Sequence, residues 1–239
     1  MIKSYIYCIC REGVPLPHGL RGLGDSSLSL ISYGGVAAVV SSTPRGVCPP
    51  TPENVLSHAR VVEGILPFSP VIPTRFSSLL GGKRQVIDLL RRHCLELREN
   101  LCRLEGKVEA GVKVLLPDTP EADRALDTET LTPSPPEAGE EYLLQRQRFY
   151  RHRENVAEEL RAMGEMLSQH LHPHWEDRRV EYHENPAPML SACYLLKQED
   201  MGAFLTALEA LRCERPELKV LFSGPWPPYN FVPSLTRGL

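Results

Sequence analysis

The sequence predicts an α+β protein in two halves, and three observations carry that prediction. Strand-like and helix-like segments alternate through both halves. A stretch rich in Pro, Thr, Glu, Asp and Ser, Pro117 to Gly139, separates them, and a long charged helix pattern follows from about Glu140 to His170. At 239 residues the chain has room for one large domain or two small ones.

In the first half, Tyr5 to Cys10 reads as a buried strand, followed by a Gly- and Pro-rich loop from Gly13 to Gly24. Leu28 to Tyr33 and Val36 to Val40 form a hairpin, because the Gly34-Gly35 pair between them supplies the positive φ angles of a tight turn. Thr51-Pro52-Glu53 starts a helix, with an N-cap, a proline in the first turn and an early acid. Val55, Ala59, Val62 and Leu66 recur at helical spacing until Pro67. Val71-Ile72 is extended and interrupted by Pro73. One helix is expected from about Lys83 to Leu104, with Val86, Leu90, Cys94, Leu97, Leu101 and Leu104 on one face, then a closing strand from Val108 to Leu116. The first half therefore reads β-β-β-α-β-α-β.

The second half opens with the long helix, whose Val156, Leu160, Met163, Leu167 and Leu171 keep an apolar stripe while Arg and Glu fill the other faces. Candidate strands follow at Arg178 to His183 and Met189 to Leu196. A helix then carries Met201, Phe204, Leu205, Leu208 and Leu211, and Leu218 to Phe222 closes the sheet. The α-β-β-α-β order suggests a small ferredoxin-like domain. The expected domains are 1–116, an exposed linker or loop at 117–139, 140–222, and a tail at 223–239. Prolines 225, 227 and 228 remove ladder donors, so the chain is expected to leave the sheet after Phe222 as an extended Pro-rich tail.

Composition excludes several function classes. With 27 basic and 30 acidic residues the formal net charge is −3, which leaves no basic field for a nucleic acid backbone. Nothing approaches the ~20 apolar residues of a membrane span, and no signal-peptide pattern precedes the first strand, so a cytoplasmic protein is expected. The seven cysteines form no C-x-x-C pair and read as reduced thiols. Cys8 and Cys10 share a strand face, and Cys94 lies in an apolar helix seam, without an adjacent base.

His170, His172, His174 and His183 are the one cluster suggestive of a metal, but Pro173 interrupts it and no further ligand is spaced to complete it. The loop around Gly19, Gly22 and Gly24 lacks a phosphate-binding signature and reads as a flexible connection. Gly81-Gly82-Lys83 serves as well for helix entry as for anion binding. No catalytic residue, cofactor or metal is assigned. Arg75, between Thr74 and Phe76, is the most suggestive single charge, either as an ion pair fixing its loop or as a partner contact.

The segment Ser223-Gly-Pro-Trp-Pro-Pro-Tyr-Asn-Phe-Val232 is the most specific in the chain. It resembles the ending of the gas vesicle accessory proteins of the F/L family (GvpF/GvpL). Tyr5-Ile-Tyr-Cys-Ile, Gly35-Val-Ala-Ala-Val-Val-Ser41, Gly106-Lys-Val-Glu-Ala-Gly-Val-Lys113 and Leu190-Ser-Ala-Cys-Tyr-Leu-Leu196 match further blocks of that family in order. So does Phe68-Ser-Pro-Val-Ile-Pro-Thr-Arg-Phe76, although Ser77 stands where glycine is common.

The resemblance implies two modified ferredoxin-like domains and a non-enzymatic protein required for gas vesicle formation. It also implies that the protein contacts the hydrophobic shell protein GvpA and other accessory proteins. Arg75, Phe76, Trp226, Tyr229 and Phe231 are its motif or candidate partner-contact residues. Trp226 and Tyr229 are expected to pack mainly against the protein's own domains. The alternative from another class is a small enzyme or ligand-binding protein with a site between the two domains.

Overall fold

The computed structural model describes residues 3–43, 48–116, 138–183 and 188–233. The chain divides into two compact units: the first is residues 1–109 with Leu195–Gln198 and the stretch from Pro225, and the second is Ala110–Tyr194 with Glu199–Gly224. Helices and antiparallel strands are mixed in the α+β manner.

In the first unit, β1 (Lys3–Arg11), β2 (Leu28–Tyr33), β3 (Val36–Thr43), β4 (Ile72–Pro73) and β5 (Leu79–Leu80) form one sheet. Its order is β2-β3-β1-β4, with β5 also paired to β1. The β2–β3 hairpin closes on Gly34 and Gly35, both at positive φ, and Tyr33 faces Val36 across the turn. Ile6 pairs with Val40 but Cys8 pairs with Val39, so β1 carries one extra residue at Tyr7. This bulge shifts the inward-facing parity: Tyr5 and Tyr7 before it, and Cys8 and Cys10 after it, enter the same cluster as Val61, Val62 and Ile65 of helix α1 (Pro52–Ile65). Burial there raises the Cys8 thiol well above its usual pKa and pushes Cys10 up to about 12.

Helix α1 begins as expected, with Pro52 in its first turn and the Thr51 hydroxyl accepting from Asn54 N at 3.3 Å. The single helix expected over 83–104 is two, α2 (Lys83–Arg92) and α3 (Cys94–Arg103), parted where His93 takes φ −109 and ψ 13. No Gly or Pro marks the break. It falls where the Cys94 thiol donates to the Gly34 carbonyl at the hairpin turn, 3.4 Å away. Val86, Leu89, Leu90, Leu97 and Leu101 of the two helices are all buried.

The second sheet runs β7-β8-β6-β9, from β6 (Lys107–Leu115), β7 (Asp177–His183), β8 (Met189–Lys197) and β9 (Lys219–Trp226). Strand β6 does not close the first sheet; it is central in the second, between β8 and β9. Its Val108, Ala110, Val112 and Val114 alternate inward, the pattern of a strand covered on one face. In α4 (Ala138–Leu171) the stripe Leu160, Met163, Leu167 and Leu171 is buried, and in α5 (Met201–Glu214) Phe204, Leu208 and Leu211 are. Tyr194 of β8 lies 5.5 Å from the Phe204 ring. The Ser168 hydroxyl donates to the Gly164 carbonyl at 2.8 Å, so the Tyr194 phenol, 3.2 Å away, is left to donate to Ser168. The linker expected at 117–139 lies, up to residue 137, outside the described residues.

Strand β9 does not end at Phe222 but continues through Pro225 to Trp226. It is an edge strand paired with β6 alone, and an edge strand has one side on which no donor is needed. That is where a proline can be accommodated.

Candidate functional site

After Trp226 the chain makes a tight turn that is fixed from within. Tyr229 N donates to the Pro227 carbonyl at 2.8 Å and Phe231 N to the Pro228 carbonyl at 3.2 Å, forming one 3-10 turn over Tyr229–Phe231. Asn230 grips the carboxylate of Glu109 with both backbone and side chain: its N donates to Oε2 at 2.8 Å and its Nδ2 to Oε1 at 2.6 Å. Arg103 Nη2 donates to the carbonyl of Phe231. Glu109 is only 5% exposed, so the Asn230 bonds supply what its burial would otherwise lack. All these groups belong to the first unit.

The side chains of this turn divide sharply. Phe231 is 1% exposed, whereas Trp226 is 43% and Tyr229 36% exposed. Trp226 and Tyr229, expected to pack mainly against the protein's own domains, are each more than half covered but keep a substantial exposed part, and Phe231 is the anchor rather than a surface contact. A short turn pinned at Asn230 turns one ring inward, and phenylalanine is the aromatic with no polar atom to desolvate. Burial raises the Tyr229 phenol pKa, with Cys8, Glu63 and Glu109 adding to the rise, so its hydroxyl end is the more enclosed part of the ring.

A second constellation surrounds Arg75. The loop from Thr74 to Ser78 is tied to β1 and α1: Thr74 N donates to the Tyr7 carbonyl at 3.0 Å, and Thr74 Oγ1 to the Ile6 carbonyl at 2.7 Å. Ser77 N donates to the Tyr5 hydroxyl at 3.1 Å, and Ile6 N to the Ser78 carbonyl at 2.9 Å.

His58 of α1, 3% exposed, lies 3.2 Å through Nε2 from the Thr74 carbonyl and 2.9 Å through Nδ1 from the Tyr5 hydroxyl. A carbonyl only accepts, so the proton sits on Nε2, and Tyr5 donates to Nδ1. Burial pulls the His58 pKa down to about 4, against a smaller opposing pull from the Thr74 bond, and pushes the phenols of Tyr5 and Tyr7 up. Phe76, half-buried, meets both Tyr5 and His58 edge-on, with centroids 6.2 and 6.0 Å away. Arg75 points into solvent, and among the described residues no ion pair holds its side chain. It does not secure the loop; the backbone and Thr74 do.

The remaining sequence candidates are not drawn together. His170 Nε2 donates to the Ala207 carbonyl at 3.1 Å, and His172 lies edge-on to Trp175 at 6.0 Å. Among the described residues no group of three or more His, Cys, Asp or Glu side chains is arranged to hold a metal ion. Gly82 enters α2 at φ 113, and the Gln85 side chain accepts from Gly81 N at 2.6 Å, which is a helix-entry role. The glycine-rich loop is more than a connection. A Cβ on Gly22 would lie 2.3 Å from the Tyr7 hydroxyl, which accepts from Leu23 N at 2.8 Å, so only glycine allows that approach.

Sequence reasoning missed Glu109, Arg103, Asn230 and His58. A charge in an otherwise apolar strand, Val108-Glu109-Ala110, was the available signal for the first. Nothing local marked the others.

The family model described as "Gas vesicle synthesis protein GvpL/GvpF" matches residues 3–233. The chain is 26% identical over 232 residues to gas vesicle protein F2 of Halobacterium salinarum, covering 95% of this chain and 91% of that protein. It is 25% identical over 250 residues to gas vesicle protein L of a Streptomyces species, covering 96% and 92%. The fold matches the crystal structure of GvpF from Anabaena with a TM-score of 0.75 at 20% identity, over 98% of this chain and 97% of that one. For GvpF from Microcystis aeruginosa the TM-score is 0.70 at 18% identity, over 97% and 99%. Such matches, spanning nearly the whole chain in both sequence and fold, place this protein in the GvpL/GvpF family of gas vesicle synthesis proteins.

Proposed function

We propose that this protein is a non-enzymatic assembly factor that binds the hydrophobic shell protein GvpA, together with other accessory proteins, during gas vesicle formation in the cytoplasm. The observation that carries the reading is the turn after Trp226. It is locked from inside through Asn230 and Phe231 while two aromatic rings stay partly exposed beside it. A rigid turn presenting Trp and Tyr has little ordering entropy to lose on binding, and these two residue types dominate the energetics of protein contacts. A shell subunit with large apolar surface aggregates unless that surface is covered, and such rings are suited to cover it. No helix among the described residues is long and apolar enough to cross a membrane.

We further read both units as modified ferredoxin-like domains. The β6-α4-β7-β8-α5-β9 succession, with neighbours β9-β6-β8-β7, supports this for the second.

The test is co-expression of the shell protein with wild type and with the double variant Trp226→Ala/Tyr229→Ala, followed by pull-down and light scattering. Wild type should hold the shell protein dispersed, and the double variant should lose it while still unfolding cooperatively as a folded protein. Failure of wild type to bind or disperse the shell protein overturns the reading.

A further inference from the structure

We propose that the Thr74–Ser78 loop is a preformed recognition site for an Asp or Glu side chain of a partner protein, with Arg75 as the group that binds it. This rests on the reading above that the chain acts by binding other gas vesicle proteins, and it adds a second, charged contact.

Three observations converge on this loop. The Arg75 side chain is exposed and, among the described residues, has no carboxylate opposite it. Its backbone is nevertheless held firmly, since the Arg75 carbonyl accepts from both Ser78 N at 3.2 Å and Ser78 Oγ at 2.7 Å. Ser77, immediately after Phe76, sits at φ 69, in the left-handed region that L side chains other than Asn and Asp avoid. Strain of this kind persists only where surrounding structure over-determines it, and here the surrounding structure is a buried imidazole, two buried tyrosines and a buried threonine. A buried polar network thus fixes a loop whose exposed cation has, among the described residues, no carboxylate opposite it.

The chemistry of that cation selects its ligand. A guanidinium presents a planar fork of donors that matches one carboxylate through two parallel bonds. A phosphate carries more charge and is usually met by several cations or a nest of free backbone N–H groups; the loop supplies a single arginine, and three of its five N–H groups, those of Thr74, Ser77 and Ser78, are already used internally. Because loop and arginine backbone are already ordered, pairing costs mainly the side-chain entropy of Arg75.

The experiment measures binding of wild type, Arg75→Ala, Arg75→Lys, Arg75→Glu and the Trp226→Ala/Tyr229→Ala double variant. The probes are the purified shell protein and, separately, each accessory protein of a gas vesicle gene set, at low and high salt. Arg75→Ala should weaken at least one interaction about tenfold, and Arg75→Glu more, with unchanged melting temperature and a reduced salt dependence. Arg75→Lys should recover only part, because an ammonium cannot form the fork. Reversing the matching Asp or Glu of the bound partner to Arg should restore binding to Arg75→Glu.

Loss of binding in the Arg75 variants but not in the double aromatic variant would leave this proposal standing and remove the aromatic turn from the reading above. Arg75→Glu binding every probe as wild type does would overturn the proposal alone. Full activity of Arg75→Lys with competition by inorganic phosphate would overturn the carboxylate assignment. Wild type binding none of the probes would overturn both.

Discussion

Lowering the pH from 7 to 5 charges an unfolded histidine but barely charges His58, which is 3% exposed and has a pKa of about 4 in the folded protein. The unfolded value is about 6.5, and each unit of difference is worth about 1.4 kcal/mol. Above pH 6.5 the imidazole is neutral in both states and contributes no slope. Between 6.5 and 4 the unfolded chain binds the proton and the folded one does not, so stability falls as pH falls, by roughly 3 kcal/mol in all. Below about 4 both states are protonated and the loss levels off.

The groups around the ring do not titrate in this window: Tyr5 and Tyr7 have their pKa values raised by burial, and the Thr74 contact is a backbone carbonyl. Urea unfolding of wild type and His58→Gln at closely spaced pH values isolates the effect, because the other ionisable groups are common to both. His58→Gln should be clearly less stable at pH 7, and the gap should close by roughly 3 kcal/mol by pH 4. Parallel pH profiles for the two proteins would refute the argument, as would an NMR titration in which the His58 ring charges near pH 6.5.

Two further outcomes test the packing. Ser77→Gly should raise stability by about 0.5–1 kcal/mol, since relief of the left-handed strain exceeds the added entropy of the unfolded chain; an unchanged or lower denaturation midpoint counts against the φ of 69. Phe231→Ala should cost about 3–5 kcal/mol and Trp226→Ala clearly less, so comparable losses from the two would contradict the division of the turn into one fully buried ring and two partly exposed ones.

What the sequence made legible was local. The Gly34-Gly35 hairpin and the Thr51-Pro52 helix start each rest on residues that act on their immediate neighbours, and both stand as read. The sheet to which β6 belongs depends on β8 and β9, far along the chain, and nothing in Val108–Leu116 names those partners. The proline argument for the tail was sound about missing donors but silent about position, because at an edge those donors are not required. Of the candidate contacts, Arg75 and Trp226 could be singled out by type. That Phe231 rather than Trp226 is enclosed follows from Asn230 finding Glu109, a pairing invisible to spacing.

The bonds from Asn230 to Glu109 join residues 121 positions apart. A ribosome makes the strand bearing Glu109 long before the residues that will complete it. During that interval the nascent first unit holds a carboxylate it cannot favourably enclose and a vacant space where Phe231 belongs. Domains usually settle in the order in which they emerge; this one must wait for the other to be translated. A nonsense or frameshift change that removes only residues from Pro225 onward would therefore strike at the unit made first, leaving a product prone to degradation although most of its chain is intact.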